Sequence, residues 1–572
     1  MSGVGFFHMK RYLFQKFFQT WQADIFGIGL LILSSLILLF DTLFFRGQPA
    51  NMDGTVHITN IAIFHQALEA GDFPVRWTDG FANYGLPMGS FAQQLTSYLG
   101  GFLTFFSGDV ITAFNWVYVI GTITSVLAFY LFLRLHVSAW PATVGAFLFN
   151  FAPYRIINFY IRGALPEYFS SLFVITLLIG FHLYIKKKQL WSLLLITLST
   201  WGLVLSHPMN AITGSVILGP YLLFLLWREK KAFKLLLAVV ASIGLGLVLS
   251  AYYLIPLLKE VQYLNYGSSS NHYNPSPLSW LNFFSPHWFY YLVQHNEILS
   301  RGHFITVGLP EMLLFLAGIG VWIARRIRKQ TIDILDVIVV AGGISLFLTT
   351  QLADGLYRQI DVLSNIQFPW RMLSTFIFIP GAIAAYGLQK FHWPVIGLVL
   401  IILISWMRFP EVYGKNFTDF PQSHYYFTID NLHTANMNTV WTARTTEYPV
   451  EATKVGIIEG EGRISELAVG NSVRKFTVEA KTSLRLVDYT FYFPGWNVYV
   501  DGQAQPIEFQ DVNYRGVITY RVPVGRHQIE VLFEETKTVK IGNLISLVGW
   551  GVFCLFALIT LTRTKNFRWL IS

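Results

Sequence analysis

Over most of this chain the apolar positions neither alternate nor recur at helical spacing; they run on unbroken. A helix that crosses a bilayer needs ~20 largely apolar residues. Runs of that kind lie near 25–45, 110–133, 138–153, 168–185, 190–206, 210–227, 234–256, 305–324, 335–350, 371–388, 393–409 and 541–562. They predict about twelve membrane-spanning helices. A further run, 91–107, is interrupted by glycines and polar residues, and reads as a re-entrant or interfacial helix.

Residues 411–540 break the pattern. They are polar and balanced in charge, and segments such as RKFTVEA, NVYVDG and RHQIEVLF alternate with a period of two. Asp501-Gly502 is a two-residue hairpin signal, because glycine accepts a positive φ cheaply. The predicted fold class is therefore a polytopic α-helical membrane protein with a small β-sandwich-like domain before its last transmembrane (TM) helix.

Composition agrees: 53% of the 572 residues are hydrophobic and only 13% charged, against about a quarter charged in soluble domains. The net charge of +9 points to no nucleic acid, because the basic residues cluster in short turns. Lys10, Arg11 and Lys16 precede the first run, which places the N-terminus (1–24) in the cytoplasm. With twelve spans, RLH at 134–136, KKK at 186–188, REKKAFK at 228–234, RRIRK at 325–329, QK at 389–390 and RTKNFR at 563–568 all fall on that side. Counting 91–107 as a span would destroy this agreement. Both termini are thus expected inside, with the tail at 563–572. The long loop 46–92 and the 411–540 domain are expected outside, flanking a transmembrane domain over 25–410. The N-terminus lacks a signal-peptide pattern, so the first run is expected to remain as an anchor. Cys554 is the sole cysteine, so no intrachain disulfide exists.

Candidate chemistry gathers on the expected outer side. NMDGTVHITN (51–60) sets Asp53 and His57 four residues apart, on one face of a helix that ends at Gly-Asp-Phe-Pro. Asp53 reads equally as a functional carboxylate or as a plain cap accepting N–H bonds near Thr55 and Val56. PYRIINFYIRGALPEY adds Arg155, Arg162 and Glu167, and SHPMN adds His207 and Asn210. The 259–304 loop brings His272, His287 and His303, Glu311 opens the next run, and QFPWR carries Arg371. Ionisable groups at membrane depth are costly and mark functional sites or buried pairs, and Arg162 with Glu167 reads either way. Five such segments together describe an outward-facing cavity. Guanidinium forks suit a phosphate or pyrophosphate, and a carboxylate suits a general base acting on a hydroxyl. No HExxH-like zinc spacing is present.

An aspartate directly after the first helix, ahead of a multi-span body, resembles the GT-C superfamily of polyprenyl-phosphate-sugar glycosyltransferases. Within it, DGTVH, GDFPVRW, YIRGALPEY, SHPMN and QFPWR look like bacterial membrane proteins labelled 6-pyruvoyl-tetrahydropterin synthase-related. The tail FYFPGWNVYVDG…GVITYRVPVGRHQIEVLF, with the ISLVGW span, is similar to the end of YfhO-like membrane proteins. The pterin label does not carry over, since the zinc-ligand histidines of those soluble enzymes are missing. The GT-C resemblance implies inverting transfer of a sugar, of the hexosyltransferase class, from a polyprenyl-phosphate donor to an envelope glycan, glycolipid or glycoprotein. The setting it implies is a bacterial-type plasma membrane. Asp53 matches the superfamily's catalytic position, with His57, Arg155, Arg162, Glu167, His207, Asn210 and Arg371 in donor or acceptor binding. Many members carry an acidic pair where this loop has Asp53 with His57. Glu69, Asp72 and Asp79 are the other acids nearby; a divalent metal cofactor thus stays open and no other is implied.

Two rival classes fit parts of the pattern. A lipid-linked glycan transporter or flippase would place its ionisable groups near the bilayer midplane and show repeat symmetry between halves; no internal repeat is present here. A non-catalytic envelope-assembly scaffold would use the β-domain for binding and would tolerate Asp53→Asn.

Overall fold

The computed structural model describes residues 21–79, 84–265, 273–285, 305–409, 417–426, 439–442, 448 and 453–563. His272, His287 and His303 lie outside them. Each of the twelve predicted runs is helical. Among the described residues, seven helices are by themselves long and apolar enough to cross a membrane, and an eighth span arises if Ile334–Leu348 and Gln351–Gln359, bent by 82°, count as one. Ser192–Ser206 and Pro394–Arg408 are shorter apolar helices.

Local chemistry sets the helix ends. Gly108, in the left-handed conformation at φ +67, terminates Gln94–Ser107. Asp109 then starts Val110–Arg134, its carboxylate accepting from the Thr112 N–H at 2.7 Å. At the bundle centre Ala139–Asn150 is buried along its whole length. It crosses Ile379–Phe391 where a Cβ on Gly145 would sit 2.6 Å from the Gly381 carbonyl oxygen. Only small residues permit that approach, the usual solution for helix pairs in lipid.

The 91–107 run forms the helix Gln94–Ser107. It packs through Gly100 and Gly101 on Ile61 and His65 of helix Gly54–Glu69. Phe102, Phe105 and Phe106 are exposed.

The predicted β-domain consists of two antiparallel sheets between Val455 and Phe533, five-stranded and three-stranded. Asp501-Gly502 makes the expected two-residue turn: Val500 pairs with Gln503, and the two turn residues have φ +50 and +78. The 46–92 loop is part of the same core. Trp77 meets Trp496 edge-on at 5.1 Å, Tyr84 stacks on Phe491 at 4.9 Å, and both loop residues are buried. Arg474, itself fully buried, donates to both Asp79 oxygens at 2.9 Å. Loop and domain therefore share one side of the molecule.

Candidate functional site

Helix Gly54–Glu69 begins directly after Asp53. The side chain that caps it is not Asp53, which makes no capping bond. Asn51 does that work, its Oδ1 accepting from the Gly54 N–H at 2.9 Å while its Nδ2 donates to the Phe159 carbonyl at 3.2 Å. The plain-cap reading of Asp53 is thereby corrected. Asp53 is instead fixed by its backbone. Its N–H donates to the Arg162 carbonyl at 2.8 Å, and the Met52 N–H donates to Ile161 at 2.9 Å. Gly163, at φ +64, makes the contact possible, since a Cβ there would lie 2.3 Å from Asn51 Oδ1. The carboxylate is left half-buried. His57 follows one turn later, its N–H donating to the Asp53 carbonyl at 3.1 Å.

Behind Asp53 lies a buried ionic cluster. Arg162 Nη1 meets Glu167 Oε2 at 2.8 Å, with both side chains almost fully buried. Tyr154 donates to Glu167 Oε1 at 2.6 Å, and Asn158 to the same oxygen at 3.3 Å. Trp370 stacks against the Arg162 guanidinium at 4.7 Å. A charge pair costs several kcal/mol per ion to desolvate unless its remaining lone pairs and protons are bonded, and these neighbours supply the bonds. The Arg162–Glu167 pair foreseen as a structural option is therefore present, and it borders the Asp53 carboxylate.

Among the described residues, two ring or guanidinium nitrogens in this cluster have no hydrogen-bond partner. Arg371 lies 3.8 Å from Glu167 through Nε, an atom that is buried and makes no hydrogen bond; its Nη1 donates to the Ile366 carbonyl at 3.2 Å. His207 Nδ1 is likewise buried without a hydrogen bond. Burial lowers the His207 pKa to about 4, against the pull of Glu167, with Arg371, Arg162 and His57 adding to the lowering. His207 thus lies within electrostatic reach of His57, Glu167 and both arginines. Asn210 fastens this segment by donating to the Glu167 carbonyl at 3.2 Å and to the Ser170 hydroxyl.

Arg155 points elsewhere. It is buried with Ser125, Tyr168 and Ser171 hydroxyls as acceptors at 3.1, 3.0 and 3.2 Å, and lies between the Phe149 and Tyr168 rings. Glu311 forms a second buried pair, with Arg408 at 2.9 Å. Sequence reasoning missed Arg408, Tyr154, Asn158 and Trp370. The spacing of Tyr154, Asn158 and Arg162, four apart on one turn after another, was the available signal.

The other acids of the first loop do not join Asp53. Asp72 accepts from Asn471 at 3.1 Å, and Asp79 is held by Arg474 and Lys454 in the β-domain core. Among the described residues no three histidine, cysteine or carboxylate groups converge as a metal set. Among the described residues the other carboxylate near Asp53 is Glu167, whose oxygens are taken by Arg162, Tyr154 and Asn158.

A family model described as "6-pyruvoyl-tetrahydropterin synthase related domain; membrane protein" matches residues 93–412, more than half of the chain. No curated protein matches. Among solved structures, the apo Archaeoglobus fulgidus oligosaccharyltransferase is 13% identical over 70% of this chain and 55% of its own, at a TM-score of 0.38. The mycobacterial arabinofuranosyltransferase AftD is 11% identical over 67% and 26%, at 0.40. ArnT from Cupriavidus metallidurans, bound to undecaprenyl phosphate, is 12% identical over 70% and 67%, at 0.36. This chain spans about half the length of the archaeal enzyme it matches.

Proposed function

This chain belongs to the 6-pyruvoyl-tetrahydropterin synthase related family of membrane proteins, and from that premise we propose that it is a GT-C-like glycosyltransferase. It takes a sugar from a polyprenyl-phosphate donor and passes it to a hydroxyl on an extracytoplasmic envelope acceptor. The membrane arrangement is twelve spans, with both termini in the cytoplasm and the 46–92 loop and β-domain outside.

One observation carries the reading. Asp53 is fixed by backbone bonds beside a buried ionic cluster of Arg162, Glu167 and Arg371, while its carboxylate is excused from capping the helix it precedes. A carboxylate whose position does not depend on its own oxygens is free to take a proton. Asp53 acts as general base on the acceptor hydroxyl; the oxygen attacks the anomeric carbon as the bond to the donor phosphate breaks, and the configuration inverts. The phosphate leaves as an anion. Arg155 and Arg371 each keep a buried Nε without a hydrogen bond among the described residues, but Arg371 is the one beside Glu167, and together with His207 it meets that charge. Arg162 is committed to Glu167 and orients the site. Arg155 acts from within the bundle through Tyr168. His57 orients the base or the donor.

The test is transfer by the purified chain from a panel of polyprenyl-phosphate sugars, wild type against Asp53→Asn. General-base assistance contributes on the order of 10²–10⁴-fold, and a loss of that size in a stably folded variant is the expected result. Wild-type rates in Asp53→Asn would return this loop to a binding or scaffold role.

A further inference from the structure

A cavity of about 380 Å³ opens at the opposite ends of the helices from Asp53. It lies within the range of ~300–1,000 Å³ that small-molecule sites occupy. Helix Val110–Arg134 and the turn after it contribute Phe132, Leu133, His136 and Val137; Ile334, Ile338, Ala382 and Ala385 complete an apolar interior. Its mouth is polar, with Tyr386, Gln389, Lys390 and His392. Phe132 to Val137 and Tyr386 to His392 flank the RLH and QK turns, two of the basic turns expected on the cytoplasmic face.

Charge at the mouth is unequally shared. Arg325 is paired with Asp333 at 2.6 Å and Arg326 with Asp336 at 3.4 Å. The nearby carboxylates are thereby used, and among the described residues no ion pair holds Lys390, which is exposed. Gln389 points its carbonyl oxygen at Ser138, accepting from N–H and hydroxyl at 2.9 and 2.7 Å. The interior imidazole of His136 is tied to the Tyr221 hydroxyl at 2.9 Å, so the wall is fixed. Next to Lys390 the exposed rings of Phe391 and Trp393 stack at 4.9 Å. Exposed tryptophan beside a cation marks the headgroup level of a bilayer.

We propose that this cavity binds an anionic phospholipid of the cytoplasmic leaflet, its acyl chain between Ile338, Ala382 and Ala385 and its phosphate on Lys390. Basic pockets between transmembrane helices suit such headgroups, and an apolar slot at this depth takes a chain rather than water. The site is distinct from the Asp53 cluster and does not depend on transfer activity.

The full chain in detergent, titrated with phosphatidylglycerol or phosphatidylcholine and read by native mass spectrometry, tests this. Phosphatidylglycerol is expected to bind at least several-fold tighter. Lys390→Glu is expected to weaken it about tenfold, leaving phosphatidylcholine unchanged. Ala382→Leu, which fills the slot without touching charge, is expected to reduce retention of both. A melting temperature held near wild type certifies each variant as folded. Equal binding of the two lipids, or an unaltered titration in Lys390→Glu, overturns the proposal. Glycerol phosphate competing as well as the lipid would overturn the acyl slot and leave a free-phosphate site.

Discussion

The backbone N–H of Asp53 donates to the backbone carbonyl of Arg162 at 2.8 Å. The join fixes a half-buried carboxylate against a buried guanidinium without spending either side chain on the attachment. It also makes the intervening glycine a sensitive point.

Gly163→Ala should separate position from chemistry. The residue sits at φ +64, and its Cβ would fall 2.3 Å from Asn51 Oδ1 and 2.6 Å from the Gly54 nitrogen. A non-glycine residue in that conformation costs on the order of 1–3 kcal/mol, and the overlap must push the Asn51–Gly54 turn away. Transfer is expected to fall at least tenfold while Asp53 remains unaltered. Unchanged transfer by a folded Gly163→Ala protein would show that the docking of this turn does not set the reaction geometry.

Arg371→Lys keeps the charge but removes the planar fork. Hydrogen bonds to charged groups are worth about 1.5–3 kcal/mol, so donor affinity is expected to drop roughly 10–100-fold. Because the Arg371 side chain donates to a single carbonyl among the described residues, that of Ile366, thermal stability should hardly move. Normal donor binding in a filter or fluorescence titration would place the phosphate elsewhere.

Sidedness is checked by single cysteines at Gln503 and Lys187, both exposed, in a Cys554→Ser background. An impermeant maleimide on intact cells should label the first and not the second. Labelling of both from one side would remove the topology and the outward site together.

In the β-domain, His527 Nδ1 lies 2.7 Å from Asp501 Oδ2. The bond to Asp501 raises the His527 pKa above its usual 6.5, and the bond to His527 holds Asp501 below its usual 3.8. The histidine's contribution to stability is complete below about 6.5 and is lost as pH rises through its raised value. The aspartate's is complete above about 3.8 and is lost as pH falls through its lowered value. Melting curves of wild type and His527→Gln should therefore differ most between those limits and converge in alkali. A difference independent of pH would assign the contact to packing.

How much of this was readable beforehand depends on the kind of signal. Continuous apolar runs and period-two alternation are dense signals, and both element types lie where they were expected. The Asp501-Gly502 turn was readable because only a few residues accept its backbone. The Arg162–Glu167 pair was legible as an option, since a charge inside an apolar stretch demands a partner. Asn51 as the cap was not, because an aspartate two residues on competes for the same role in any sequence reading. Nor was Arg408 legible as the partner of Glu311, as 97 residues separate them and no local pattern links them. The second acids of the first loop were misleading neighbours in sequence: Asp72 and Asp79 face the β-domain, whose strands lie hundreds of residues away.

That distance has a temporal side. Arg474 follows Asp79 by 395 residues. At about 5–20 residues per second of synthesis, the loop waits roughly 20–80 s before its ionic partner exists. Throughout that interval Trp77 and Tyr84 have no core to enter. Nearly all the membrane helices are inserted meanwhile, so the far end of the 46–92 loop reaches its final shape only when the β-domain folds onto it. A ribosome stalled before Val455 would leave a bundle in which Asp53 already has its bond to Arg162, while Trp77, Asp79 and Tyr84 still await their partners.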